Sequence, residues 1–187
     1  LMLVTLLFTG LWGTLSSMQE SMLKSATTLM SGDVNIGGFY KVTAGQAGPI
    51  VTHAGDILKV AEKAFPGDID YAVERGRGWA KLISDTASMQ AGIGGIDIAT
   101  EHGFKKVLQL ESGTFDDLAK PNTILIFDGQ AKKLGVKVGD MLTFSAQTAR
   151  GVNNTIDVRV VAIAQDVGLL SMWNTYVSAD TLRKLYD

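Results

Sequence analysis

Hydrophobic positions along this chain follow a helical period first and a strand period later. Residues 1–19 carry no charge, and Glu20 is the first ionisable side chain. The apolar run LMLVTLLFTGLW passes without a proline into Leu15, Met18, Met22, Ala26 and Leu29, at spacings of three and four. Gln19, Glu20, Lys24 and Thr28 fall on other faces, so the pattern predicts one continuous amphipathic helix that stops at Ser31-Gly32. Residues 33–38 then alternate, with Val34 and Ile36 inward, and predict a strand. A Gly-rich loop follows at 44–49. Thr52 is a candidate cap for a helix over 53–65, with Ile57, Val60, Ala61 and Ala64 on one face. Residues 71–76 resume as a strand. Two more strands, 79–84 and 90–98, flank a polar turn at Asp85-Thr86. A short helix is expected over 101–109.

The most self-consistent stretch is residues 122–146, NTILIFDGQAKKLGVKVGDMLTFSA. Residues 123–127 read as a buried strand, Asp128 as a helix N-terminal residue, 130–134 as a short helix, and Gly135 as its left-handed stop. Residues 136–140 turn the chain, and 141–145 return as a strand. A polar loop at 146–154 leads to a strand over 155–164 that points Ile156, Val158, Val160 and, after a shift, Ile163 to one side. Residues 172–178 form a further strand, and 179–186 a terminal helix with Leu182 and Leu185 inward. The order implies an α+β fold: a long N-terminal helix (1–31), a βαβ subdomain (32–85) and a β-rich subdomain (86–187).

Several of these motifs, in this order, resemble the periplasmic core domain of MacB-type and FtsX-like ABC transporter permeases, relatives of the lipoprotein-releasing permeases. The residues that carry the resemblance are Ala131-Lys132-Lys133-Leu134-Gly135-Val136-Lys137-Val138-Gly139-Asp140, Gly32-Asp33-Val34-Asn35-Ile36, Gly95-Ile96-Asp97, Glu111-Ser112-Gly113-Thr114-Phe115 and the strand over 158–163. The resemblance implies a porter-like βαβ subdomain and a place on the outer side of a bacterial inner membrane, facing the periplasm or the cell exterior. It also implies that residues 1–31 are the end of a transmembrane helix running into a stalk. The chain would then serve mechanically, coupling cytoplasmic ATP hydrolysis to substrate export or release. Its partners would be a cytoplasmic ATP-binding subunit, a second permease copy and a periplasmic adaptor or carrier protein. Leu15, Met18, Met22 and Leu29 would face a partner helix, or else cover the domain's own core. Gln147, Arg150, Asn153 and Asn154 form a candidate partner-binding loop. Lipoprotein-releasing relatives carry a long Pro-containing hairpin there; the short, proline-free connection here puts general export ahead of lipoprotein release. Family members also continue beyond the position matching Asp187. The alternative is a membrane-anchored binding or assembly module without transport activity.

Composition narrows the function further. Lys and Arg total 17 against 19 Asp and Glu, a net charge of −2, with no basic stripe for nucleic acid. Cysteine is absent, which leaves the redox compartment open. The two histidines, His53 and His102, are far apart and read as ordinary surface residues, so no metal or other cofactor is expected. Gly76-Arg77-Gly78 and Gly92-Ile93-Gly94-Gly95 lack the spacing of a phosphate loop; hairpin turns and strand irregularities account for them. Any ATPase therefore belongs to a separate chain or region, and no enzymatic activity is expected. Asp116-Asp117 reads as a solvated turn, and Asn153-Asn154-Thr155 as a chance glycosylation pattern. Trp79, Trp173 and Tyr176 are strand aromatics, read as core rather than as a ligand surface. A glycan or lipid ligand stays open.

Overall fold

The computed structural model describes residues 2–38, 40–43, 46–48, 53–148 and 151–186. They fall into two compact units, Leu1–Asn35 and Ile36–Asp187. The first is a single long helix, α1 (Met2–Ala26), extended by one π turn (Thr27–Ser31). Gly32 ends it: its φ of 64° breaks the helical path, and its N–H closes back on the Thr27 carbonyl at 2.6 Å. The expected continuity from the apolar run to Ser31-Gly32 is borne out. Among the described residues, no helix is long and apolar enough to cross a membrane.

The second unit begins with a small hairpin, β1 (Tyr40–Thr43) and β2 (Gln46–Gly48), then α2 (Ala54–Ala64). Strands β3 (Gly76–Ile83) and β4 (Ser88–Ile96) follow, then the single turn α3 (Phe104–Val107) and β5 (Leu110–Gly113). The central stretch supplies β6 (Thr123–Phe127), α4 (Asp128–Leu134) and β7 (Met141–Gln147). The chain ends with β8 (Asn153–Ala164), α5 (Leu169–Trp173), β9 (Asn174–Ser178) and α6 (Ala179–Tyr186). The fold is α+β, with a mixed sheet preceded by a long helix, as the pattern implied.

Six strands close into a ring, β8-β6-β9-β4-β3-β7, because β7 pairs with both β3 and β8; β5 attaches along β8. The β6–β8 and β4–β9 pairs are parallel and the rest antiparallel. The interior is one apolar cluster built from alternate residues of all six strands, including Leu82, Ile93, Ile126, Phe144, Val158 and Val177. Leu134 of α4 and Leu182 and Leu185 of α6 complete it. Burying each such side chain contributes about 1.5–3 kcal/mol. The shift expected before Ile163 is a real irregularity: Ile124 pairs with Val160 but Leu125 with Ala162, so Val161 is the extra residue and Ile163 returns to the core.

Local sequence explains the two helices that complete this core. α4 starts where the Gln130 side chain accepts the Phe127 N–H at 3.1 Å, and stops at Gly135 with φ 68° and ψ 32°. The polar turn between β3 and β4 then caps it, Ser84 Oγ donating to the Leu134 carbonyl at 2.7 Å. α6 starts on Ser178, whose hydroxyl accepts the Thr181 N–H at 3.3 Å.

The structure corrects six expectations. Residues 33–38 are not a strand: Val34 is 80% exposed, and two alternating residues with no partner strand gain too little burial to fix an extended backbone. Residues 71–75 are irregular, and the strand starts at Gly76. β2, α2 and β3 do follow in strand–helix–strand order, but β2 belongs to the small hairpin and β3 to the ring. β2 occupies the middle of the expected 44–49 loop. The helix over 101–109 shrinks to Phe104–Val107, and the strand over 172–178 starts at Asn174, after a helical turn. Thr52 lies outside the described residues.

Candidate functional site

On α1, Leu15, Met18 and Met22 are 64–65% exposed, whereas Leu29, in the π turn, is 2% exposed. The predicted stripe is therefore split. Leu7, Phe8, Leu11, Trp12 and Leu23 are also exposed, so among the described residues the apolar surface of α1 is much broader than one stripe.

The candidate loop is largely engaged in its own structure. Gln147 Nε2 donates to the Gly151 carbonyl at 3.1 Å, and Asn153 pairs with Gln147 across the β7–β8 ladder. Asn154 Nδ2 donates to the Lys184 and Leu185 carbonyls at 3.0 and 3.1 Å, capping the end of α6. Arg150 lies outside the described residues.

An open cavity of about 530 Å³ lies beside the start of β6 and the middle of β8, with Lys120, Asn122, Met141, Asp157 and Arg159 among its walls. Its charges are already answered. Lys120 meets Asp117 at 2.6 Å, Thr143 Oγ1 donates to Asp157 at 2.7 Å, and Arg159 Nη1 donates to the Gly139 carbonyl at 3.1 Å. The hydrogen bond and charge of Lys120 lower the Asp117 pKa. Asp116 reaches Lys105 at 3.0 Å, so both carboxylates of the Asp116-Asp117 pair are held in ion pairs.

Outside the ring, over β9, an aromatic cluster joins Phe104 to Tyr176 at 4.7 Å, Phe127 to Tyr176 at 6.3 Å and Phe115 to Phe104 at 6.2 Å. Arg75 and Glu101 form a two-point ion pair at 2.6 and 2.5 Å, with Glu101 buried. Burial opposes the charge on Arg75, but the hydrogen bond and charge of Glu101 outweigh it and raise its pKa. Burial also pushes the Tyr176 phenol up to about 12. His53 and His102 are exposed, and no group of three or more metal-binding side chains occurs among the described residues.

The strand aromatics divide. Tyr176 is core at 3% exposed, but Trp79 is 64% exposed and Trp173 53%. Trp79 alternates with Ala80 and Leu82, which point inward, so it faces out of the ring with Arg77 and Lys81. The signal was in the sequence: a tryptophan with a cation two residues to either side sits on a polar strand face. The strand glycines are not turns or irregularities. A β-carbon at Gly95 would stand 2.7 Å from Leu182 Cδ2, one at Gly94 2.8 Å from Tyr176 Cδ1, and one at Gly92 2.7 Å from Asn174 Oδ1. They let α6 lie close on the inner side of the sheet and β9 side chains fold over its outer side.

No protein-family model matches this sequence, and no curated protein matches it. Among solved structures, the chain is similar to the extracellular domain of the noncanonic ABC-type transporter YknZ from Gram-positive bacteria. The identity is 17% and the TM-score 0.47, over 68% of this chain and 64% of that one. It is also similar to a domain assigned to a permease protein of Porphyromonas gingivalis, at 18% identity and TM-score 0.46, over 65% of this chain and 51% of that one. The chain thus spans 64% and 51% of the length of these two neighbours.

Proposed function

We propose that this chain is the extracytoplasmic domain of an ABC transporter permease of the MacB-type or FtsX-like kind. It couples cytoplasmic ATP hydrolysis to export or release of a substrate, and it has no catalytic activity of its own. One observation carries this reading: α1 runs unbroken for 25 residues with its described large apolar side chains exposed. Leaving a large apolar side chain in water instead of burying it forgoes about 1.5–3 kcal/mol. In the assembled protein that surface is covered by lipid towards the N-terminus and by a partner helix near Met18 and Met22. The motif resemblance of residues 131–140 and their companions supports the same reading.

In this mechanism a cytoplasmic ATP-binding subunit moves the membrane helices, and α1 passes the movement outward. Two permease copies pair, and the distal domain engages a periplasmic adaptor or carrier. Transmission of this kind requires contacts that differ between two states. Met22→Asp places a charge in the helix contact of one state. ATPase and export rates of the full transporter are measured together, with circular dichroism as the fold control. Export should fall while ATP hydrolysis and the distal fold persist. Unchanged export would sink the stalk role and favour an anchored module without transport.

A further inference from the structure

We propose that the Arg75–Glu101 ion pair is a releasable clasp: opening it frees the segment that carries α2 from the ring, and the ring stays folded. The clasp does not depend on the transport reading. Its two sides are built differently. Glu101 sits on a loop fixed by its own hydrogen bonds: Asp97 Oδ1 accepts the Ala99 N–H, the Asp97 carbonyl accepts the Thr100 N–H, and the Thr100 carbonyl accepts the His102 N–H, each at 3.0 Å. Phe104, further along the same loop, is fully buried against Tyr176. Arg75 ends an irregular segment. Residues 69–75 have no regular structure, and among the described residues no hydrogen bond holds 69–74. α2, on the far side of that segment, has no buried residue.

The segment meets the fixed loop at Tyr71 and Arg75. Tyr71 stands edge-on to His102 at 6.4 Å, and Arg75 grips Glu101 through Nε and Nη2 at 2.6 and 2.5 Å. An ion pair is a poor permanent anchor, because desolvating two charges offsets most of their attraction; apolar side chains of similar size hold as well or better. What the pair supplies is a sharp two-way choice. Removing one partner strands the other charge in the pocket, so the segment is either seated through the guanidinium fork or released with both charges in water. The Glu101 carboxylate is 1% exposed, so it reaches water only when the segment lifts.

β3 sets where the release stops. Gly76 pairs with Gly95, and the ladder with β4 runs on to Ile83. Ala80 and Leu82 of that strand lie in the ring core, whereas Glu101 acts on Tyr176, in the aromatic cluster outside the ring. Lifting the segment therefore leaves the ring's apolar interior covered. The freed residues 69–75 can extend to about 23 Å, so α2 gains reach relative to the ring.

Trypsin reads the open state, because the Arg75 side chain must leave Glu101 to enter the protease. The test uses the full chain in detergent and compares initial rates of cleavage after Arg75 and after Arg77, which lies inside β3 and requires the ring to unzip. Hydrogen exchange of residues 123–127 reports the ring itself. In the parent, cleavage after Arg75 should outpace cleavage after Arg77 while 123–127 stay protected. Glu101→Gln keeps the shape and removes one charge; it should speed cleavage after Arg75 roughly tenfold and leave the other two readings unchanged. Arg75→Lys keeps a charge and a trypsin site but loses the fork. It should speed cleavage likewise, and it gives a second reading should Glu101→Gln fail its circular dichroism control. Cleavage after Arg75 that tracks Arg77 in the parent overturns the proposal, since the segment would then leave only with the ring. So does an unchanged rate in both variants, which would mean that the pair holds nothing. An equal rise at Arg77 and in 123–127 exchange overturns it too, because the pair would then belong to the ring core.

Discussion

α1 and α6 both present leucines and methionines or tyrosine along a helix face, yet they end in opposite situations. α6 has eight residues, and Leu182 and Leu185 are buried in the ring core. α1 has 25 residues, and Leu15, Met18 and Met22 remain exposed. Apolar content does not separate them. The receiving surface does. Gly95 leaves room for Leu182, and Asn154 caps the last carbonyls of α6, so the helix is held by shape and by polar contacts at its end. α1 instead closes on its own Gly32. An apolar helix face is thus buried where a surface is shaped to receive it, as for α6, and the Leu15, Met18 and Met22 face of α1 stays exposed.

The largest effect that would break this comparison is at Leu185. Truncating a fully buried leucine removes its transfer free energy and leaves a cavity, so Leu185→Ala should cost about 3 kcal/mol. Met18→Ala should stay within about 0.5 kcal/mol. Denaturant unfolding of both variants in detergent measures the difference. Equal losses would mean that α1 is core after all. Gly95→Val comes next. Its side chain takes the place of Leu182 Cδ2, 2.7 Å away from the new β-carbon, and overpacking of this kind costs about 2 kcal/mol. The same unfolding experiment reads it, and an unchanged midpoint would show that α6 is not held by that fit.

Much of this was legible in the sequence where the code is local. β6, α4 and β7 were readable because a buried strand, Gln130, Gly135 and the turn after it each act within a few residues. The register shift in β8 showed as a break in alternation before Ile163. What pairs over long distance was not legible: nothing local says that β7 meets β3 and closes the ring. The glycines of β3 and β4 were misread for the same reason, since the residues they make room for lie far along the chain. Trp79 was misassigned by residue type, although its neighbours Arg77 and Lys81 already placed it outside. The apolar residues of α1 were visible as a pattern, but spacing alone does not separate an exposed face from a buried one.

The smallest effect is the most diagnostic of how α6 is held. The ring seam is incomplete beside Trp79: β3 pairs with β7 only from Lys81 to Ile83, so the Trp79 N–H and carbonyl that point away from β4 lack a strand. The Tyr186 hydroxyl takes the place of that strand by accepting from one and donating to the other. Tyr186→Phe keeps the ring and removes both bonds. The half-exposed seam can recruit water, so the loss should be about 1 kcal/mol rather than the full cost of two buried orphans. Burial raises the Tyr186 pKa above its ordinary 10.0, although the Trp79 N–H bond pulls the other way. A folded value above the unfolded one means that the neutral phenol's contribution is whole below pH 10 and is lost as pH rises through the folded value. Tyr176, pushed up to about 12, adds a loss of the same sign between pH 10 and 12. Stability of the parent protein should therefore fall on that alkaline side, and the Tyr186→Phe variant should show a shallower fall there, retaining only the Tyr176 part. Parallel denaturant titrations at neutral pH and across that window decide it. Identical slopes for parent and variant would show that the hydroxyl contributes nothing at the seam and that α6 is held by Leu182 and Leu185 alone.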